Sequence, residues 1–247
     1  MDARLLDAGD GAVTVEFGRQ ISPALSARVM ALDRAVNAAR ARGELPGVIE
    51  TMPTFRSLTV LYDPLLTERA TLDAALRRLL GHADAHAATV RGRRWRLPVC
   101  YASEFAIDLD DVAAATGLAA DDVTRLHAAC EFTVYMIGFM PGFAFMGGLA
   151  PALDVPRRTE PRVRVPPGSV AITGSLTAIY PWESPGGWQI IGRCPVPLFD
   201  PALAAPSLLA SGDEVRFEAV SEARYAELQR AFAAGERAPA SLLESQA

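Results

Sequence analysis

The spacing of glycine and proline changes abruptly near the middle of this chain, and that change most limits what it can fold into. Up to Ile137, apolar residues recur at helical or alternating spacing over uninterrupted stretches. From Gly138 onward, glycine or proline falls every few residues, with short β-rich runs between. Segments broken so often cannot hold long helices, and read as short strands joined by tight turns in a β-barrel or sandwich. The 247 residues are enough for one or two domains.

The first half has a different pattern. Ala12 to Phe17 reads as a strand. Ser22 caps a helix with Pro23 in its first position, and Leu25, Val29, Leu32 and Val36 form its apolar face. Gly43 and Pro46 end it. Val48 to Thr54 and Ser57 to Tyr62 read as two strands. Thr67 opens a second helix with Leu72, Leu76 and Leu79 inward and Gly81 after its end. With Arg94 to Tyr101 as a further strand, the order is βαββαβ, a ferredoxin-like arrangement, with His82 to Gly92 as a loop-like seam.

Beyond the seam, Asp108 to Thr116 and Ala120 to Ala129 read as short helices joined at Gly117-Leu118, and Glu131 to Ile137 as a strand. Asp213 to Val220 alternates Val215 with Phe217 as a closing strand. A last helix, Ser221 to Ala234, precedes a polar tail expected to fray.

The chain has no lysine, so every basic side chain is arginine. A Walker A lysine, a kinase-type strand lysine and a Schiff-base lysine are therefore excluded. Anion binding must use arginine, backbone N–H groups or a metal. The net charge of -5 gives no overall attraction to nucleic acid. Cys100, Cys130 and Cys194 are isolated from one another, without a CxxC pair. His82 and His86 lie four apart, but no carboxylate or cysteine neighbour completes a metal set, and they read as surface residues. The opening MDARLLDAGDGAVTVEF is acidic and has no long apolar run, and nothing approaches the ~20 residues of a membrane span. The expectation is a cytoplasmic protein with no membrane contact.

The informative stretches are GFMPGFAFMGGL from Gly138, PRRTEPRVRVPPGSVAITG from Pro156 and IYPWESPGGWQIIGRCPVPLFDP from Ile179. In order and spacing these closely resemble the family of the bacterial 5-oxoprolinase B subunit. Its members are also labelled allophanate hydrolase subunit 1 or inhibitor of a sporulation histidine kinase, and a related module forms half of the carboxyltransferase region of urea carboxylase. The resemblance is strong over the last 150 or so residues and looser before them. It implies an α+β chain with a ferredoxin-like domain over 1–92, a cyclophilin-like β-barrel over 93–235 and a flexible tail over 236–247. It also implies ATP-dependent opening of the lactam of 5-oxoproline to glutamate, in a complex with a homologous C subunit plus a third subunit.

The residues support part of this. Ser184, Gly186, Gly187 and Trp188 form a turn whose glycines let backbone N–H groups approach an anion; alternatively it is a tight barrel turn with Trp188 as core. Arg193, after the apolar Ile190-Ile191-Gly192, either forks onto a carboxylate or closes a buried ion pair. Arg157, Arg158 and Arg162 lie between rigid prolines and either gather oxyanions or form a solvated basic loop. His127 is a candidate general base or a satisfied core histidine. Phe139, Pro141, Gly142 and Phe143 form an aromatic loop that either packs inward or faces a partner. Leu176, Ala178 and Cys194 stand where the family commonly has glutamine, glycine and threonine, which bears on substrate choice. Kinase inhibition and a urea- or allophanate-type amide reaction remain alternatives. Prolyl isomerisation rests on fold likeness alone.

Overall fold

The computed structural model describes residues 3–86 and 92–244. The chain divides into two compact units, Met1–Arg91 and Gly92–Ala247. Among the described residues no helix is long and apolar enough to cross a membrane.

The first unit contains β1 (Arg4–Asp7), β2 (Ala12–Glu16), α1 (Pro23–Ala41), β3 (Val48–Pro53), β4 (Ser57–Tyr62) and α2 (Arg69–His86). Its four-stranded antiparallel sheet has the order β1-β2-β4-β3. Alternation decides which face is buried: Val13 and Val15 of β2 and Leu58 and Val60 of β4 point into one core. There they meet Val29, Leu32 and Val36 of α1 and Leu72, Leu76 and Leu79 of α2. Ser22 caps α1 as expected, its Oγ accepting from the Leu25 N–H at 3.2 Å.

The βαββαβ order is corrected to ββαββα. The fourth strand comes from the N-terminal side, with Leu5 opposite Val15 and Leu6 opposite Thr14. Arg4-Leu5-Leu6-Asp7 is too short to show a period. The strand beginning at Arg94 belongs instead to the second unit. The seam is corrected as well: α2 continues through His82 to His86, and residues 87–91 lie outside the described residues, as does the His86 side chain.

The second unit contains β5 (Arg94–Val99), α3 (Leu109–Thr116), α4 (Ala120–Ala129), β6 (Glu131–Ile137), β7 (Ala144–Gly147), β8 (Arg162–Val165), β9 (Ser169–Thr173), β10 (Leu176–Ile179), β11 (Ser184–Gly186), β12 (Gln189–Arg193), β13 (Glu214–Ala219) and α5 (Glu222–Ala233). A seven-stranded sheet runs β12-β9-β10-β7-β6-β13-β5, and β8 pairs with β11 as a separate ribbon. Strand β5 pairs in parallel with β13. Pro98 lacks a donor N–H and is tolerated because β5 is an outer strand.

The two outer strands of the sheet then meet. Just past β5, Cys100 bridges Arg193 at the end of β12 with two reciprocal backbone hydrogen bonds, each 2.8 Å. The sheet thereby curls back on itself, joining edges that would otherwise stay unpaired. A β-bulge between Ile190 and Gly192 bends β12 toward this junction. Gly192 permits the approach: a Cβ there would lie 2.9 Å from both the Cys100 carbonyl oxygen and Val99 Cγ1.

The polar tail expected over 236–247 is partly tied down. Pro239–Leu242 form a 3-10 turn, Leu243 bridges Trp95, and Glu244 pairs with Arg96. Leu243 has an unfilled edge to pair with beside β5, which sequence spacing could not reveal.

His127, on α4, lies at 0% exposure within the main core. Its ring stacks on Phe217 with centroids 5.0 Å apart. The Thr177 hydroxyl donates to the Ala171 carbonyl, so its oxygen accepts from His127 Nε2–H at 3.0 Å. Nδ1 then accepts from the Tyr101 hydroxyl at 2.8 Å. Burial alone lowers the His127 pKa to about 3, so the ring is neutral at physiological pH.

The sheet junction and the sealed histidine can each be tested. The tryptophans Trp95, Trp182 and Trp188 all lie in the second unit, so their fluorescence reports its unfolding alone. Gly192→Ala should destabilise that transition by about 1–3 kcal/mol through overpacking. Gly81→Ala, on α2 where a Cβ meets nothing within 4 Å, should leave it unchanged. For His127, the folded value of about 3 lies below the ordinary 6.5, so the unfolded chain binds the proton first. Stability falls as pH drops below 6.5, by up to about 1.4 kcal/mol per pH unit. Urea unfolding at pH 6.5 and pH 5 checks this, and His127→Gln should flatten the slope while lowering stability overall.

Candidate anion-binding site

Alternation along β10 sorts the chemistry of the second unit. Thr177 faces His127, and Ile179 joins the main core. Ala178 and Tyr180 face the other way, into a separate cluster with Phe143, Val165, Ala171, Trp188 and Ile190. The Phe143 ring stands edge-on to Tyr180 at 5.1 Å and to Trp188 at 6.0 Å.

The rim of this cluster is organised by Asp108, whose side chain is 1% exposed. Asp108 precedes α3 but makes no side-chain cap. Instead Oδ2 accepts from the Ile190 N–H at 2.7 Å, and Oδ1 accepts from Arg158 Nη1 at 3.0 Å. Arg162 grips both oxygens, with Nη1 at 2.9 Å from Oδ2 and Nη2 on Oδ1. A planar guanidinium matched to a carboxylate in this way is strong and directional. Ladder pairing reinforces it, since Arg162 on β8 lies opposite Gly186 on β11, and the Arg158 N–H donates to the Gly187 carbonyl at 2.7 Å.

Arg157 has no carboxylate partner among the described residues, and its guanidinium lies 6.0 Å from the Trp188 ring. Gly186 is required by close approach, because a Cβ there would sit 2.5 Å from the Tyr180 hydroxyl. Burial raises the Tyr180 pKa, opposed in part by Arg157, by a backbone hydrogen bond from Trp188 and by Arg162. The phenol therefore remains protonated and able to donate. Ser184, half-buried on β11, turns its hydroxyl to the Pro185 carbonyl at 3.2 Å.

Arg193 lies further along β12. Its guanidinium stacks 4.9 Å from the Phe105 ring, and its charge partly offsets the burial that raises the Tyr225 pKa. Its Nε is buried with no hydrogen-bond partner. Ser169, its cross-strand neighbour, is 0% exposed with an equally unpartnered Oγ. Among the described residues no carboxylate pairs with Arg193, so the buried ion pair considered as its alternative role is absent. Cys194 beside it is inert, its thiol pushed up to about 12 by burial.

The structure therefore brings together Arg157, Arg158, Arg162, Ser184, Gly186, Gly187 and Trp188. His127 is held apart, on the opposite face of β10 and without solvent access, in the position of a satisfied core histidine. Leu176 and Ala178 line the outer cluster. Sequence reasoning missed Asp108, Tyr180 and Ser169. Asp108 was legible only as a helix-start acid, because Glu160, between Arg158 and Arg162, is the acid that spacing offers those arginines.

The aromatic loop divides. Phe143 is 2% exposed and packs inward. Gly142 is also buried, at φ +80°, with a hypothetical Cβ 2.8 Å from Phe199 Cβ. Both are corrected from partner-facing to interior, because Tyr180 and Trp188 offer Phe143 an aromatic pocket. Phe139, at φ +70°, remains 66% exposed, and Pro141 is exposed beside it. The indole of the half-exposed Trp182 donates to the Pro141 carbonyl at 3.1 Å.

Asp108→Ala should strand two guanidinium groups and a buried N–H. The tryptophan-monitored unfolding free energy should fall by on the order of 3 kcal/mol. Asp108→Asn, which keeps the acceptor for Ile190, should fall by less.

Residues 3–209 match the family model described as carboxyltransferase domain, subdomain C and D. The chain is 37% identical over 231 residues to the 5-oxoprolinase B subunit of Bacillus subtilis (strain 168), covering 88% of this chain and 92% of that protein. It is 39% identical over 216 residues to the protein of the same name from Escherichia coli O157:H7, covering 87% and 95%. The crystal structure of TTHA0988 superposes with a TM-score of 0.73 at 36% identity, over 85% of this chain and 40% of that longer one. On these grounds the chain belongs to the 5-oxoprolinase B-subunit family of carboxyltransferase-type domains.

Proposed function

We propose that this protein is the B subunit of an ATP-dependent 5-oxoprolinase, opening the lactam of 5-oxoproline to glutamate in the cytoplasm together with a homologous C subunit plus a third subunit. The observation that carries this reading is near full-length identity of 37–39% to two proteins named as B subunits of 5-oxoprolinase. The ferredoxin-like and cyclophilin-like assignments belong to the same proposal. They draw support from the four-stranded sheet with its two helices and from the closed seven-stranded sheet.

The site favours an anionic small molecule. Asp108 occupies Arg158 and Arg162, leaving Arg157, above Trp188, and Arg193 as the cations for a ligand. Arg193 is proposed as the carboxylate-binding residue: its Nε–H and the Ser169 hydroxyl are buried donors without partners, and unmet buried donors favour an incoming acceptor. Gly186 leaves room for the Tyr180 hydroxyl, which is proposed as a proton-bearing donor on the rim of the site. His127 is given no proton-transfer role. A triphosphate does not fit the residues here, because the clustered arginines are turned onto Asp108 and no lysine exists. Nucleotide chemistry therefore belongs to the assembled complex. The exposed Phe139, Pro141 and Trp182 are the proposed partner-facing set.

Co-purification with the two partner subunits and assay of ATP-dependent glutamate release from 5-oxoproline tests the proposal. The lone chain should be inactive and the assembled complex active. Arg193→Ala should lower kcat/KM about tenfold to a few hundredfold, as expected for one or two charge-assisted hydrogen bonds, with complex formation preserved. Full turnover by the lone chain, or a fully active Arg193→Ala complex, would contradict it.

A further inference from the structure

The first unit has a cavity of about 490 Å³, lined by residues of β1 and β2, by Gly18 to Gln20 and by Leu25 near the start of α1. We propose that this cavity is a binding site for a small organic anion, a carboxylate or phosphate carried on a compact apolar body. It lies outside the candidate site of the second unit and does not depend on how that site is read.

The charge around the cavity is lopsided. Among the described residues its lining has one carboxylate, Glu16, and that group is already claimed twice. Arg4 Nε donates to it at 2.9 Å, and Arg56 donates both to it and to the Gly18 carbonyl. Arg4 first, and then Arg56, hold the Glu16 pKa below the usual carboxylate range, so it stays ionised. Arg19 also lines the cavity and has no hydrogen-bond or ion-pair partner among the described residues. No acidic residue stands in the first turn of α1 to offset these cations. Arg4 and Arg19 in the lining, with Arg56 bound to Glu16 behind it, outnumber the single carboxylate and leave an excess of positive charge, in a chain whose net charge is -5. Like charges held this close repel one another, and an incoming anion relieves that repulsion.

The shape selects the rest of the ligand. Leu25 and Phe17 give the cavity apolar walls. Gly18 keeps Leu25 in place, since a Cβ there would lie 2.9 Å from Leu25 Cδ1. A bare oxyanion would leave most of the 490 Å³ unfilled, whereas this size suits a small organic molecule. Each arginine has five N–H donors, so Arg4 can hold Glu16 and still present N–H groups alongside Arg19.

Calorimetric titration of the full chain at low salt with benzoate, phenyl phosphate and inorganic phosphate tests the proposal. The expected result is saturable binding of benzoate, phenyl phosphate or both, with inorganic phosphate weaker. Arg19→Ala and Arg19→Gln should each weaken the organic anion at least about tenfold, the scale of one charge-assisted contact. Arg164→Ala, an exposed residue of the second unit paired with Glu183, removes the same charge and should leave binding unaltered. Three results would overturn the site: no saturation by either organic anion, equal weakening by Arg164→Ala, or inorganic phosphate binding as tightly as phenyl phosphate.

Discussion

Two backbone hydrogen bonds between Cys100 and Arg193 determine much of the second unit. They join the outer strands of the seven-stranded sheet, and a sheet so joined must curl and enclose an interior. That interior gives His127 its dry surroundings, and the exterior carries the arginine cluster. Gly192 makes the junction possible by having no side chain where two backbones approach. The bulge beside it bends β12 enough to reach. Arg193 thus carries two separate duties: its main chain closes the sheet, while its side chain, lacking a carboxylate, is left available to a ligand.

The polar interior follows one rule with two outcomes. A buried polar group must be satisfied or it costs free energy. His127 meets the rule completely, with both ring nitrogens bonded and the charged form suppressed. Asp108 meets it by holding two guanidinium groups and one backbone N–H, which turns an apparent anion trap into a rigid rim. Arg193 and Ser169 do not meet it within the described chain. Groups left open in this way point to a ligand more directly than arginines in general do. In a chain without lysine the distinction matters, because arginine must serve as both structural strut and ligand-binding group.

Alternation in β10 separates these roles in space. Neighbouring side chains on a strand leave on opposite faces, so Thr177 reaches His127 while Ala178 and Tyr180 contribute to the outer aromatic cluster. Phe143 is drawn into that cluster by Tyr180 and Trp188. Phe139, four residues earlier, is kept outside by its positive φ. One loop therefore supplies both core and exposed surface.

What short-range physics controls was already legible in the order of residues. The helices beginning after Ser22 and Ser221 and the strand Glu131–Ile137 followed from caps, breakers and hydrophobic period, which act over one or two turns of chain. The long motifs from Gly138 to Asp200 carried the family. Which sheet a strand joins was settled only in three dimensions. Arg94–Val99 pairs with β13, some 120 residues later, and Arg4–Asp7 completes the first sheet in its place. Strand propensity is local, whereas strand partnership depends on distant hydrogen-bonding edges. The folded chain also decided that Asp108 would hold Arg158 and Arg162 instead of capping α3, and that His127 would be sealed in the core. Burial and ion pairing depend on which residues the whole fold brings together, and spacing along the chain does not encode that.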